Sequence, residues 1–421
     1  MDVAFLTYEG IATDPVETHL NLEKPVYILG KHFKPDEQMK EINEYVYNRL
    51  WFTYRRNFLP IGGTGPTSDA GWGCMLRCGQ MMLGQALQCR HLGRDWSWER
   101  DKRNTKYMQI LREFLDKKDS LYSIHQIAQM GVGEGKSVGQ WFGPNTIAQV
   151  IRKLVLFDDA NDIAVHVAMD NTVVIEDLRK LCKSNMDTWG CYGECSSSHN
   201  ETPPLPTPTK EGECCNVNKR RKTRFSSSSS NEKQSTATWR PLLLFIPLRL
   251  GLSETNPTYF TALKAMFTLK QNIGIIGGKP NHAHYFIGFN GDRLLYLDPH
   301  TTQPALQMER YNCIPDTSYH TEAPCFMNFS ALDPSIALGF YCHTEEELND
   351  WVSAVRELVI DREKRPMFEI SEKRPRHWPP FELPNRPCHD IDCSKTDFTE
   401  LVYDYGEEEK KFDSSEEYEI L

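Results

Sequence analysis

Helical periodicity fills the first part of this chain and strand patterning fills the later part. That segregation restricts the fold more than any other feature, because alternating units would instead signal a parallel α/β sheet. In "EQMKEINEYVYNRLWFTYRRNF", Met39, Ile42, Val46 and Leu50 stand at helical spacing. From Cys74 onward, Met75, Cys78, Met82, Ala86 and Cys89 step by three or four and predict one buried face of a helix. Further helices are predicted around "YMQILREFL", "SIHQIAQM" and "NTIAQVIRKLVLF". Strands follow: "IAVHVAM" (163–169), "WRPLLLFIPLRL", and the pair "AHYFIGF" and "RLLYLD" joined by Asn290-Gly291-Asp292. Asn-Gly favours a hairpin because both residues tolerate positive φ. A helix is predicted over 257–269, a strand at "IALGFYC", and a last helix opened by a capping box of Thr344 and Glu347. The fold class read from this order is α+β.

The segment 184–238 breaks the pattern with "ETPPLPTPTK", "KRRKTR" and "SSSSS". It is too polar and proline-rich to pack and is read as a disordered insertion, its basic run a solvated patch rather than an import signal. Residues 1–24 read as a flexible N-terminal segment, 25–385 as the folded domain, and 386–421 as an acidic flexible tail. Eight acidic side chains against two lysines in residues 401–421 supply −6 of the net −10. The rest is only mildly acidic, which argues against nucleic acid as a partner. "MDVAFLTYEG" lacks the pattern of a secretion signal, and "PLLLFIPL" is too short to span a bilayer, which takes roughly 20 residues. The expectation is a cytoplasmic protein with no transmembrane segment. Its 13 cysteines, an odd number in a long chain, are then free thiols. Their spacing makes no structural zinc site, so neither metal nor cofactor is expected.

The stretch "GWGCMLRCGQ" delivers one thiol to the start of a helix. A cysteine attacks as its thiolate, and an ordinary thiol with a pKa of about 8.5 is mostly protonated at neutral pH. A helix N-terminus offers partial positive charge and unpaired N–H donors. Gly71 and Gly73 allow a sharp turn, Trp72 can anchor it, and the Cys74 N–H can face a developing oxyanion. A base is also needed, and "YLDPHTTQ" offers one. Asp298 and His300, two apart on an extended segment, face the same way, so the carboxylate can orient the imidazole toward Cys74. His284 reads as a core histidine within the hairpin strand and His282 as a loop residue.

Long motifs then carry a family resemblance: "LWFTYRRNF", "IGGTGPTSDAGWGCMLRCGQ", "CRHLGRDWSW", "MGVGEGKSVGQWFGPNT", "GGKPNHAHYFIGF", "LDPHTTQ" and "LDPSIALGFYC". Together they closely resemble the autophagins, cysteine peptidases of autophagy that process ubiquitin-like GABARAP-type modifiers, and the animal A/B type most of all. The resemblance covers about 25–385 outside the insertion. It implies a papain-like cysteine peptidase fold with a small auxiliary subdomain, Cys74 as nucleophile, His300 as base and Asp298 as the orienting carboxylate. It implies that Tyr54, which on residue type alone reads as core, contributes to the oxyanion hole. It implies cleavage after a C-terminal glycine of the modifier, both to mature the precursor and to release the modifier from phosphatidylethanolamine. Trp141 would cover the narrow slot for that glycine, and the loop 274–281, with Gly277 and Gly278 as hinge, would close over it.

At the C-terminal end, Tyr418 and Leu421 in "SSEEYEIL" have the spacing of a peptide that docks on such modifiers as an added strand, and Tyr8 and Ile11 repeat it near the start. Cys78, one turn beyond Cys74, is a candidate redox residue, with helix packing as the plainer reading. The protein is expected to act as a monomer. Two rival readings are a catalytically weak modifier-binding scaffold and a papain-like acyltransferase or transglutaminase.

Overall fold

The run Leu242–Arg249 has no polar alternation, as expected of a strand buried on both faces. Around it a computed structural model describes residues 5–6, 20–100, 102, 104–184, 238–306, 314–321 and 324–384. In chain order the elements are β1 (Phe5–Leu6), β2 (Val26–Ile28), β3 (Lys31–Phe33), α1 (Pro35–Tyr47), β4 (Arg55–Arg56), α2 (Cys74–His91), α3 (Thr105–Glu113), α4 (Ile124–Met130), α5 (Pro144–Leu154), β5 (Ala164–Val167), β6 (Thr172–Val174) and α6 (Ile175–Lys183). Then come β7 (Leu242–Arg249), α7 (Phe260–Thr268), β8 (Asn272–Lys279), β9 (His282–Asn290), β10 (Arg293–Leu297), β11 (Thr301–Pro304), β12 (Cys325–Asn328), β13 (Ser335–Cys342), α8 (Glu345–Val355) and β14 (Glu369–Ser371).

The main sheet runs β12-β10-β9-β8-β13-β7-β5, with β2 added to β9 and β3 to β2. Every pairing in it is antiparallel except β5 with β7. Side chains alternate between its faces. Leu243 and Phe245 enter the core under α2–α5, while Leu242, Leu244 and Ile246 enter the one under α6–α8. A smaller sheet, β1-β11-β4, lies at the site described below.

Several sequence readings change. Helix α1 ends at Tyr47, so Leu50 lies beyond it, and Met39 is exposed. Residues Cys74 to Cys89 of α2 are buried all round rather than on one face, because the helix is enclosed between the sheet and its neighbouring helices. Asn290 pairs with Arg293 as the last residue of β9, so the turn is Gly291-Asp292, with Gly291 at φ 62° and Asp292 not positive. The Asn290 amide instead donates to the carbonyls of Asn21 and Lys24. The capping box is half formed: Thr344 accepts from Glu347 N, but the Glu347 carboxylate takes the N–H of His343. Phe5–Leu6, inside a segment read as flexible, pairs with Thr301–Thr302. Of the insertion only its end positions, Ser184 and Thr238, are described, and the acidic tail 386–421 lies outside the described residues.

Candidate active site

Three segments distant in sequence converge where α2 begins. Gly71 takes φ 86° with no atom near its missing Cβ, so it is the backbone angle that requires glycine. At Gly73 the requirement is space, since a Cβ would collide with the Asp69 carboxylate. The Trp72 indole donates to Ser68 O at 3.0 Å and anchors the turn. Cys74 follows as the first residue of α2, and no side chain caps that end.

The second segment is 298–303. The Asp298 carboxylate accepts both the backbone N–H of His300 (2.9 Å) and its ring Nδ1 (2.6 Å). The Cys74 thiol is a further hydrogen-bond partner of the same ring. The third segment carries Tyr54. Its N–H donates to Pro299 O at 2.9 Å, and its carbonyl accepts from Gln303 N at 2.9 Å. The fully buried Tyr54 ring meets the His300 ring edge-on, centroids 5.5 Å apart. The Trp51 indole donates to Asp298 O at 2.7 Å, securing the far side of the turn.

Burial by itself would pull the His300 imidazole down. The hydrogen bonds and charges of Asp298 and Cys74 outweigh it and push His300 up to about 10. Burial raises the Asp298 carboxyl, but the His300 hydrogen bond and the two neighbouring histidines leave it below the usual carboxylate range. His284 packs 5.3 Å from His300 and 4.5 Å from Tyr296, and burial pushes it down to about 4. It is therefore a neighbour of the site rather than a residue of the general core. His284, Asp298 and His300 hold their ligand atoms within 4.8 Å of one another, the one group among the described residues spaced to hold a metal ion. Their Asp298–His300 bond already engages two of those groups. Thiol, imidazole and carboxylate joined in series at a helix N-terminus form a nucleophile, a base and its orienting group.

The peptidase C54 catalytic domain matches residues 39–354 of this sequence. The chain belongs to the peptidase C54 family. Among curated relatives, the cysteine protease ATG4B of Gallus gallus is 49% identical over 411 residues, 97% of this chain and 98% of the relative. The cysteine protease ATG4A of Xenopus laevis is 48% identical over 401 residues (95% and 93%), and that of Homo sapiens 48% over 421 (98% and 96%). This C54 member is accordingly a cysteine peptidase with a papain-like α+β fold.

Other residues singled out in the sequence fall as follows in this C54 peptidase. Trp141 is half-buried, packs against the core under α2–α5, and leaves its indole N–H without a partner. The segment 274–281 is mostly strand rather than loop, since β8 runs to Lys279 and only Pro280–Asn281 form the turn. Gly277 pairs with His284 and Ile336, and Gly278 with Ala283, so cross-strand bonding rather than free hinging defines them. Gly278 has φ 142°, and a Cβ there would strike His282 O. Cys78 is fully buried, and burial, followed by the charges of Cys74 and Asp298, pushes its thiol well up. That suits the packing reading, because a thiol needs its thiolate to oxidise readily. The six cysteines of the described residues are free. Tyr8, Ile11, Tyr418 and Leu421 lie outside the described residues.

Sequence reasoning missed Asp69, Arg77 and Asp116. All three are buried, with Arg77 Nε 2.8 Å from Asp69 Oδ2 and Arg77 Nη1 2.8 Å from Asp116. The available signal was an arginine midway through a run of helix otherwise patterned for burial.

Proposed function

We propose that this C54 peptidase cleaves ubiquitin-like GABARAP-type modifiers after a C-terminal glycine, maturing the precursor and releasing the modifier from phosphatidylethanolamine. The observation that carries the reading is the hydrogen-bonded series Cys74–His300–Asp298 at the first turn of α2. The Cys74 thiolate attacks the glycyl carbonyl carbon, and the carbonyl π electrons move to oxygen. The Cys74 N–H and the Tyr54 hydroxyl steady that oxyanion. As it collapses, the C–N bond breaks, and His300 passes its proton to the leaving amine. His300 then takes a proton from water, the hydroxide attacks the thioester, and the thiolate departs. Asp298 keeps the imidazole aligned throughout.

Cys74 has no exposed surface, so this is a closed arrangement and substrate entry needs a movement. The β8–β9 turn ends three residues before His284, which lies beside His300, and is the candidate to lift. Trp141 is the proposed cover of the glycine slot. Tyr418 with Leu421, and Tyr8 with Ile11, are the proposed docking motifs for the modifier. We place the protein in the cytoplasm as a monomer. No helix of the described residues is long and apolar enough to cross a membrane.

The test is incubation with a modifier extended past its glycine, followed by mass measurement of the products. Free modifier ending in glycine is expected from the native chain and none from Cys74→Ala, with modifier binding kept in both. Turnover by Cys74→Ala overturns the assignment. A product joined to an added amine would favour an acyltransferase, and binding without cleavage a scaffold.

A further inference from the structure

One buried side chain joins the two segments that must cooperate in acyl transfer. Asp69 is completely buried. Its Oδ1 accepts the N–H of Arg55, the residue after Tyr54, at 2.6 Å. Its backbone carbonyl accepts the N–H of Gly73, the residue before Cys74, at 2.8 Å. The spacing between the Tyr54–Arg55 segment and the Cys74 turn is thus set by the length of a single residue. Asp69 is itself fixed: its N–H donates to Arg55 O at 3.2 Å, and its Oδ2 accepts Arg77 Nε at 2.8 Å. Arg77 reaches on to Asp116 and to Gln80 Oε1, 3.0 Å away. Gly73 lacks the Cβ that would occupy the position of the carboxylate.

A buried ion pair is a weak source of stability, since apolar residues of equal volume often do as well. Simple stabilisation therefore does not call for a carboxylate here, whereas bonding two backbone segments at once does. We propose that Asp69 is a positioning residue that fixes Tyr54 relative to Cys74, so that the oxyanion meets both of its donors. The proposal rests on the reading of Cys74 as nucleophile and Tyr54 as oxyanion donor.

Asp69→Asn tests it. The variant keeps the backbone carbonyl that holds Gly73, but its amide must turn an NH2 toward either Arg77 Nε or Arg55 N. Acyl transfer is expected to suffer while the Cys74–His300 pair survives. On the modifier precursor, kcat should fall about 10- to 100-fold with KM within about twofold. Alkylation of Cys74 by iodoacetamide forms no oxyanion and should stay within about threefold of the native rate. In a double-mutant cycle with Tyr54→Phe, adding Asp69→Asn should cost less than about threefold more, because the misplaced hydroxyl is already gone. Native kcat in Asp69→Asn overturns the proposal. So does an equal loss on both backgrounds, or alkylation falling in step with kcat. Should Asp69→Asn fail to fold, Arg77→Lys carries the same cycle, since a lysine cannot bridge Asp69 and Asp116 together. Turnover by Cys74→Ala would instead sink the underlying assignment, so the two failures are told apart.

Discussion

The face of the sheet under α2–α5 and the face under α6–α8 both bury aliphatic and aromatic side chains, but they differ in the polar groups buried with them. On the first, Arg49, Arg55, Asp69, Arg77, Gln80, Gln85 and Asp116 are all buried. Several of them bond to a distant segment: Arg49 to Gln85, Gln80 to Tyr122 O, Arg55 to Ser318. On the second, buried polar groups are sparse, such as Asp177 with Arg374 and Thr255 with Leu332 O. The chemistry sits on the polar-rich face. A nucleophile, a base and an oxyanion donor must be held to fractions of an ångström, and directional bonds hold position where apolar packing tolerates rearrangement.

Substitutions on the two faces should therefore fail in different ways. His300→Ala should lower kcat by roughly 10,000-fold or more with little loss of fold, read by single-turnover cleavage beside a melting curve. A comparable loss of stability would break the contrast. Asp298→Asn should cost about 1,000- to 10,000-fold in kcat, because the imidazole loses its orienting carboxylate. It should also shift the alkaline limb of the rate profile downward, since the carboxylate helps to push His300 up to about 10. A limb that stays in place would show that Asp298 does not set it.

On the other face, Trp351 is fully buried between Phe340 and Phe368. Trp351→Ala should cost about 3–5 kcal/mol of stability while leaving kcat per folded molecule unchanged. Denaturant titration and active-site titration together decide this, and a fallen kcat in folded protein would erase the distinction.

Stability should also depend on pH through the site. His300 has a raised folded pKa, so its contribution is fully present below its unfolded value and is lost as pH rises through about 10. Asp298 is depressed, so its contribution is present above the ordinary carboxylate range and is lost as pH falls below it. Denaturation midpoints across this span should decline on the alkaline side in the native chain and decline less in His300→Ala. The smallest effect belongs to Leu252, which is 75% exposed. Leu252→Ser should move stability by less than about 0.5 kcal/mol and leave turnover alone.

Much of this was readable in the chain itself. Periodicity located α2 through α5 and α8 and the strands β5, β7, β9, β10 and β13, because each has local apolar spacing. It passed over β2, β3 and α6, which are short or follow directly on other elements. "GWGC" and "DPH" each displayed their chemistry through neighbours in sequence, so Cys74, Asp298 and His300 could be named from the residues. Asp69, in the loop before α2, and Arg77, on that helix, could not, because a charged residue reads as solvent-facing until its partner is known.

The sequence by itself determined which groups can react and the local turns that present them: glycine at a positive φ before Cys74, a carboxylate two residues from an imidazole. Only the tertiary structure decided that these turns meet, that α2 is enclosed on every side, that His284 stands against His300, and that residues 277–278 are paired strand. Local backbone preference acts over a few residues, whereas burial and partnering are set by segments far away in the chain, such as Trp51 on Asp298 across a separation of 247.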